Sequence, residues 1–169
     1  YCEGEIDIVG CMIGTARKSD VDGIPPVAPG DVLLGLSSAG LHTNGYSLAG
    51  HLLFEKAGYT VETRIADLGC TVGEELLKVH KEYVTLLGPH LSEKRIHALA
   101  HITGGGIIDN LARVLPDGCE AAVDKSAWEP SPIFSLLQSL GELPDEEAYR
   151  ALNMGIGMVL VIEADAAAE

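Results

Sequence analysis

Twice in 169 residues an apolar, strand-like run gives way to a loop of small residues beside a histidine, and the loop then gives way to a helical pattern. The first unit is Val32-Leu33-Leu34-Gly35-Leu36, then Ser37 through Gly45, then an amphipathic stretch from Tyr46 to about Ala57. The second is Ile96 to Ile102, then Thr103-Gly104-Gly105-Gly106, then Ile107 to Leu115. A chain that leaves a strand and enters a helix within a few small residues must turn sharply. Both units therefore call for a sheet with helices packed beside it.

The other segments fill in the pattern. Ile6 to Ala16 is apolar with small residues and reads as a strand, followed by a turn region with Pro25, Pro26 and Pro29. The run Val32 to Leu36 is apolar at every position, which predicts a strand buried on both faces. Leu48, Leu52 and Leu53 share the inner face of the first helix, and Gly58 is its C-terminal stop. Thr71-Val72-Gly73-Glu74 has the form of a capping box and predicts a helix running to about Leu87, ended by Gly88-Pro89. Glu120 to Asp124 reads as a strand. Ser131-Pro132 starts a helix that Gly141 ends, Pro144 to Leu152 is a short acidic helix, and Ile156 to Glu163 is a strand. The order is not a strict βαβ alternation. It predicts an α+β fold, a layered α/β/α domain with a mixed β-sheet, as one domain over residues 1–169 with no repeat and no linker.

Charge limits what such a domain can meet. The formal net charge is −14, which argues against nucleic acid and against anionic membranes. No run of 18 apolar residues exists to span a bilayer. A hydrophobic fraction of 47% is enough for a core. Cys2, Cys11, Cys70 and Cys119 are widely spaced, with no C-x-x-C pair, so no zinc site is expected; they read as reduced, mostly buried thiols. Asp31 and Asp109 are the carboxylates nearest the loops. They read as a turn former and a helix N-terminal residue, with Mg²⁺ ligation the alternative.

Small residues ahead of a helix suit an anion, because unpaired N–H groups and a partial positive charge face it. The candidate phosphate-binding set is thus Ser37, Ser38, Thr43, Asn44 and Gly45 in the first loop, and Thr103, Gly104, Gly105 and Gly106 in the second. Neither loop is a Walker loop or a G-x-G-x-x-G dinucleotide motif. His42 and His101 occupy similar places beside the glycines. An imidazole there can move a proton near neutral pH or pair with a phosphate that lacks a lysine. His51, His80, His90 and His97 read as structural or solvated. Asn44 and Asn153 lie among small residues, where each fixes a ligand or caps a turn. Trp128, before Glu129-Pro130, reads as a packed corner.

The strings themselves are more specific than their composition. Gly30 through Leu48, with Ser37-Ser38-Ala39-Gly40-Leu41-His42-Thr43-Asn44-Gly45 at its centre, closely resembles a signature of the phosphoribosylformylglycinamidine cyclo-ligase family, the aminoimidazole ribonucleotide synthetases. So do Ala100-His101-Ile102-Thr103-Gly104-Gly105-Gly106, Trp128 through Leu137, and Asn153-Met154-Gly155-Ile156-Gly157-Met158. Thr43 departs from the usual serine and keeps the hydroxyl.

The resemblance implies a C-terminal domain and a reaction: formylglycinamidine ribonucleotide and ATP give aminoimidazole ribonucleotide, ADP and phosphate, with Mg²⁺. It assigns His42 and His101 to substrate phosphate binding or proton transfer, the triple glycine to backbone donation, and Asn153 to the cleft floor. It also implies that an N-terminal ATP-binding domain and a final helix and strand lie outside these residues. On that view ATP and Mg²⁺ are held mainly by the other half, no metal ligands are expected here, the isolated domain is inactive, and the full-length enzyme is a cytoplasmic homodimer acting on a small ribonucleotide. The alternatives are the synthetase domain of formylglycinamidine ribonucleotide amidotransferase and a non-catalytic anion-binding module.

Overall fold

A computed structural model describes residue 6 and residues 9–168. In chain order its elements are α1 (Lys18–Val21), β1 (Val32–Ser37), α2 (Tyr46–Gly50), β2 (Arg64–Ile65), β3 (Cys70–Thr71), α3 (Val72–Leu76), α4 (Val84–Leu91), β4 (Ile96–His101), α5 (Gly106–Ala112), α6 (Pro132–Gly141), α7 (Asp145–Ala151) and β5 (Ile156–Ile162). Helix α2 continues through His51–Lys56 in a wider, π-type turn.

The fold is α+β and layered, as the sequence predicts, but its sheet is not mixed. Strand β5 lies at the centre of the order β1-β5-β4 and is antiparallel to both neighbours. Its seven residues, Ile-Gly-Met-Val-Leu-Val-Ile, are almost all buried. Val159 and Val161 face Ile107 and Leu111 of α5, whereas Leu160 and Ile162 face Tyr83 and Leu87 beside and within α4. One helical layer thus covers each side of the strand. A third cluster packs away from the sheet, where Phe134 and Leu137 of α6 meet Leu52, Leu53 and Leu152. Burying a side chain such as Phe134 completely contributes about 2–3 kcal/mol.

Two bulges tune the sheet. Leu36 pairs with Met158 and Ser37 with Ile156, so Gly157 is the extra residue on β5. Side chains alternate along a strand, and one inserted residue reverses the alternation. Ile156 accordingly faces the α5 side although Met158 faces the α4 side. His97 is the extra residue on β4, between the pairs Ile96–Ile162 and Ala98–Val161.

Several expectations change. β1 is an edge strand, and its residues are half-buried or exposed rather than buried on both faces. Leu33 packs on the α5 side and Leu36 on the α4 side, but α4 leaves Leu34 46% exposed. Leu34, Leu86, Leu87, Ile96 and Leu160 line the resulting apolar hollow of about 380 Å³. The capping box forms as predicted, with Thr71 Oγ1 accepting from Glu74 N–H and Glu74 reaching back to Thr71 N–H. Its helix nevertheless stops at Leu76. Residues 77–83 are not helical, and a new helix starts at Val84 with Gly88 and Pro89 inside it.

No strand forms over Glu120 to Asp124, where Cys119 N–H closes a turn on Pro116 and the chain stands off from the edge of β1 across an apolar cavity of about 570 Å³. Of the strand expected over Ile6 to Ala16, residues 7 and 8 lie outside the described residues. The described ones form no strand, having no partner, and Val9, Met12 and Ile13 are exposed. The cysteines are less buried than expected: Cys11 lies exposed in that segment, Cys70 is half-buried in β3, and Cys119 is half-buried in a turn. Cys2 is outside the described residues.

Candidate active site

The loop after β1 is tied down by one carboxamide. Asn153 is fully buried, and its Nδ2 donates to Gly40 O (2.8 Å) and Leu41 O (2.9 Å). Its Oδ1 accepts from Ser38 Oγ (3.0 Å) and Gly155 N–H (2.9 Å). Asn44 is buried as well and donates to Ala151 O, while its Oδ1 is a buried acceptor without a partner among the described residues. Gly45 adopts φ 85° at the start of α2, and any side chain there would strike Leu152. Thr43 is exposed.

These ties turn His42 inward. It sits at φ 61°, in the left-handed region, and is 8% exposed. Its Nε2 accepts from the backbone N–H groups of Ala39 (2.8 Å) and Lys81 (3.3 Å). A nitrogen that accepts twice carries no proton, so the hydrogen of neutral His42 is on Nδ1, which is buried with no partner among the described residues. Burial, joined by the positive charge of His80, His101 and Lys81, pushes its pKa down from 6.5 to about 4.

The non-helical segment 77–83 closes over this loop. The His80 ring stacks on His42 with centroids 3.8 Å apart, and His80 Nε2 lies 3.2 Å from His101 Nε2 at the end of β4. Lys81 Nζ donates to Ser37 Oγ (2.7 Å), and the Tyr83 hydroxyl donates to Ser37 O (3.0 Å). Gly157, the bulge residue, makes room for this assembly: a Cβ there would strike the Tyr83 hydroxyl and lie 2.7 Å from the His42 ring. His101 is the exposed member, and burial followed by the charge of His80 lowers its pKa.

The second loop is organised by Asn110. Its Nδ2 donates to the carbonyls of Thr103, Gly104 and Gly106, and its Oδ1 accepts from Thr103 Oγ1. Gly105 and Gly106 have φ 96° and 61°, conformations that favour glycine. Asp109 lies against Gly105 and pairs with Arg150 at 3.7 Å, and Asp31 closes a turn on Ala28 and bonds His97 at 2.7 Å. Trp128 packs as expected, donating from Nε1 to Met154 O.

The two loops therefore meet at one end of the sheet, and Ser37, Ser38, His42, His101 and Asn153 come together there. Thr103 and the glycines lie just beyond His101 on the same loop. The sequence reading missed three participants, His80, Lys81 and Tyr83, because it placed them on a helix that does not form. It also missed Asn110, whose only sequence signal is a carboxamide four residues after the last glycine. Among the described residues no three His, Cys, Asp or Glu side chains are arranged to hold a metal ion. The donors at the sheet end are imidazole, ammonium, hydroxyl and amide groups, which suit an anion better than they suit Mg²⁺.

The layered α+β domain thus gathers imidazole, ammonium, hydroxyl and amide groups where its two outer strands, β1 and β4, end. The chain belongs to the family described as AIR synthase related protein, C-terminal domain, whose model matches residues 28–169. It is 44% identical over 162 residues to a phosphoribosylformylglycinamidine cyclo-ligase of Syntrophotalea carbinolica, covering 96% of this chain and 46% of the relative. Cyclo-ligases of Caldanaerobacter subterraneus and Bifidobacterium longum are each 44% identical over 96% of this chain and 48% of their own length. The chain spans about half the length of the curated relatives it matches. No helix among the described residues is long and apolar enough to cross a membrane.

Proposed function

We propose that this domain supplies one half of the active-site cleft of a phosphoribosylformylglycinamidine cyclo-ligase. The reaction is the ATP-dependent closure of formylglycinamidine ribonucleotide to aminoimidazole ribonucleotide in purine biosynthesis. ATP phosphorylates the formamide oxygen, the amidine nitrogen attacks the activated carbon, and phosphate leaves with the oxygen. The contribution of this half is to hold the reacting groups together and to balance phosphoryl charge.

The observation that carries this reading is the convergence of His42, His80, His101, Lys81 and Ser37 at one end of the sheet in a chain 44% identical to named cyclo-ligases. His101, Lys81, Ser37, Thr43 and the amides of Gly104 and Gly105 face the substrate. Ser38, Asn44, Gly45, Asn153, Thr103 and Gly106 shape the loops that present them. His42 acts as a buried neutral support. Mg²⁺ and most of the ATP contacts belong to an N-terminal domain outside these 169 residues. The whole enzyme works in the cytoplasm as a homodimer, and a further helix and strand after residue 169 complete the domain.

Supplied with formylglycinamidine ribonucleotide and Mg-ATP, the full-length protein is expected to form aminoimidazole ribonucleotide, ADP and phosphate in equal amounts, and the 169-residue chain none. Amidination of formylglycinamide ribonucleotide in place of ring closure would transfer the reading to the amidotransferase. In the isolated chain, a ribonucleoside monophosphate is expected to shift the amide resonances of Gly104 and Gly105.

A further inference from the structure

The main chain of Lys81 is bonded to a histidine on each side. Its N–H points at His42 Nε2, and its carbonyl oxygen lies 2.7 Å from His80 Nδ1. A carbonyl oxygen only accepts, so His80 Nδ1 carries a proton. In neutral His80 the other nitrogen, Nε2, is then a bare lone pair. His101 Nε2 stands 3.2 Å from that lone pair, so in the neutral pair the proton between the rings belongs to His101. His101 is left with Nδ1 as its one acceptor, on an exposed ring at the end of β4. A single polarised path thus runs from the Lys81 carbonyl through His80 to one basic nitrogen. A carbonyl or carboxylate behind a catalytic imidazole fixes its tautomer by the same logic.

We propose that His80 is a positioning residue that fixes the proton of His101 on Nε2, so that His101 Nδ1 is presented as the general base of the ring-closing step. This rests on the cyclo-ligase reading above. In that step the amidine nitrogen forms its bond to the activated formyl carbon, and the bond from that carbon to the phosphorylated oxygen breaks. Phosphate leaves with the electron pair, and the proton of the attacking nitrogen passes to His101 Nδ1. The imidazolium keeps its Nε2–H bond to His80 and later releases the proton to solvent.

The groups that face the pair are His42, stacked on His80, together with Lys81 and Tyr83. None of them is a carboxylate. Among the described residues no anion therefore stands by to hold His101 protonated, and its lowered pKa agrees with a base that is neutral at neutral pH.

Imidazole ¹⁵N NMR on this chain reads the tautomers without any substrate. At pH 8 His80 is expected to be protonated at Nδ1, the minor form of a free imidazole, and His101 at Nε2. Finding His80 protonated at Nε2 overturns the proposal. In the full-length enzyme His80→Leu is expected to lower kcat at least tenfold, to leave KM within threefold, and to shift the acidic limb of the kcat–pH profile. His80→Gln, which keeps an acceptor for His101, is expected to recover most of the rate. A leucine variant with unchanged kcat and pH profile, or a glutamine variant as impaired as the leucine one at equal thermal stability, overturns it as well. If the tautomers are as stated but the full-length protein closes no ring, the functional reading fails and the His80–His101 relation stands.

Discussion

The loop after β1 and the loop after β4 carry similar residues and hold their histidines in opposite ways. In the first, the histidine is 8% exposed, bonded through Nε2 to two backbone amides and held neutral. In the second, the histidine is the last residue of its strand, exposed, and its ring is bonded to another imidazole. The carboxamide that secures the first loop comes from Asn153, more than a hundred residues away, whereas the one that secures the second comes from Asn110 within the adjoining helix. The first loop is built into the body of the domain, and the second is a local structure that presents one ring. A histidine beside glycines can thus be a buried support or an exposed ring, depending on what its nitrogens already hold.

Four measurements test that contrast. Asn153→Ala should cost the most, because it strands the buried carbonyls of Gly40 and Leu41 and removes the partner of Ser38 and Gly155; about 4 kcal/mol is expected in urea unfolding. A loss under about 1 kcal/mol would mean that the first loop is not held as described. Gly106→Ala follows, at about 3 kcal/mol, since φ is 61° and a Cβ would strike the carbonyl of Tyr149. Its neighbour Gly104, where a Cβ would meet nothing within 4 Å, should accept alanine at a cost within about 0.5 kcal/mol.

The third is a pH scan. Between pH 6.5 and about 4 the unfolded chain protonates at residue 42 while the folded domain does not. The contribution of the neutral ring is therefore complete above pH 6.5 and is lost as the pH falls, by at most about 3.5 kcal/mol at roughly 1.4 kcal/mol per unit. His42→Gln should flatten that slope, and a slope of equal size in the variant would assign the effect to other groups. The smallest effect is that of His101→Ala, expected to change stability by less than about 1 kcal/mol while abolishing turnover of the full-length enzyme. A large destabilisation there would erase the distinction between the loops.

What could be read beforehand follows from which forces are local. The capping box of Thr71 and Glu74, the proline at the start of α6 and the apolar run of β5 are decided by neighbours in sequence, and all appear as expected. The end of α3 is decided by distant groups. Leu77 onward has a helical pattern, but Lys81 gives its N–H to His42 and its ammonium to Ser37, and these tertiary bonds compete with the next helical turns. Placing residues 77–83 on a helix also put His80 on a solvated face, so the error in the element became the error in the site. The exposed side of β1 escaped for a related reason: an all-apolar strand says that both faces avoid water, and does not say whether a covering element lies within the same 169 residues.

The break in that helix also bears on how the site behaves in time. Of residues 79–83, the backbone N–H that is bonded is that of Lys81, and it goes to a side chain rather than into a ladder. Val79 is 85% exposed, and little apolar surface holds the segment shut apart from Tyr83. Segments of this kind open far more cheaply than the sheet they rest on, so their amides exchange with solvent long before the domain unfolds. A ligand that contacts His101 and Lys81 would slow that exchange, and the assembly of the histidine cluster would then be a step in binding rather than a fixed property of the fold.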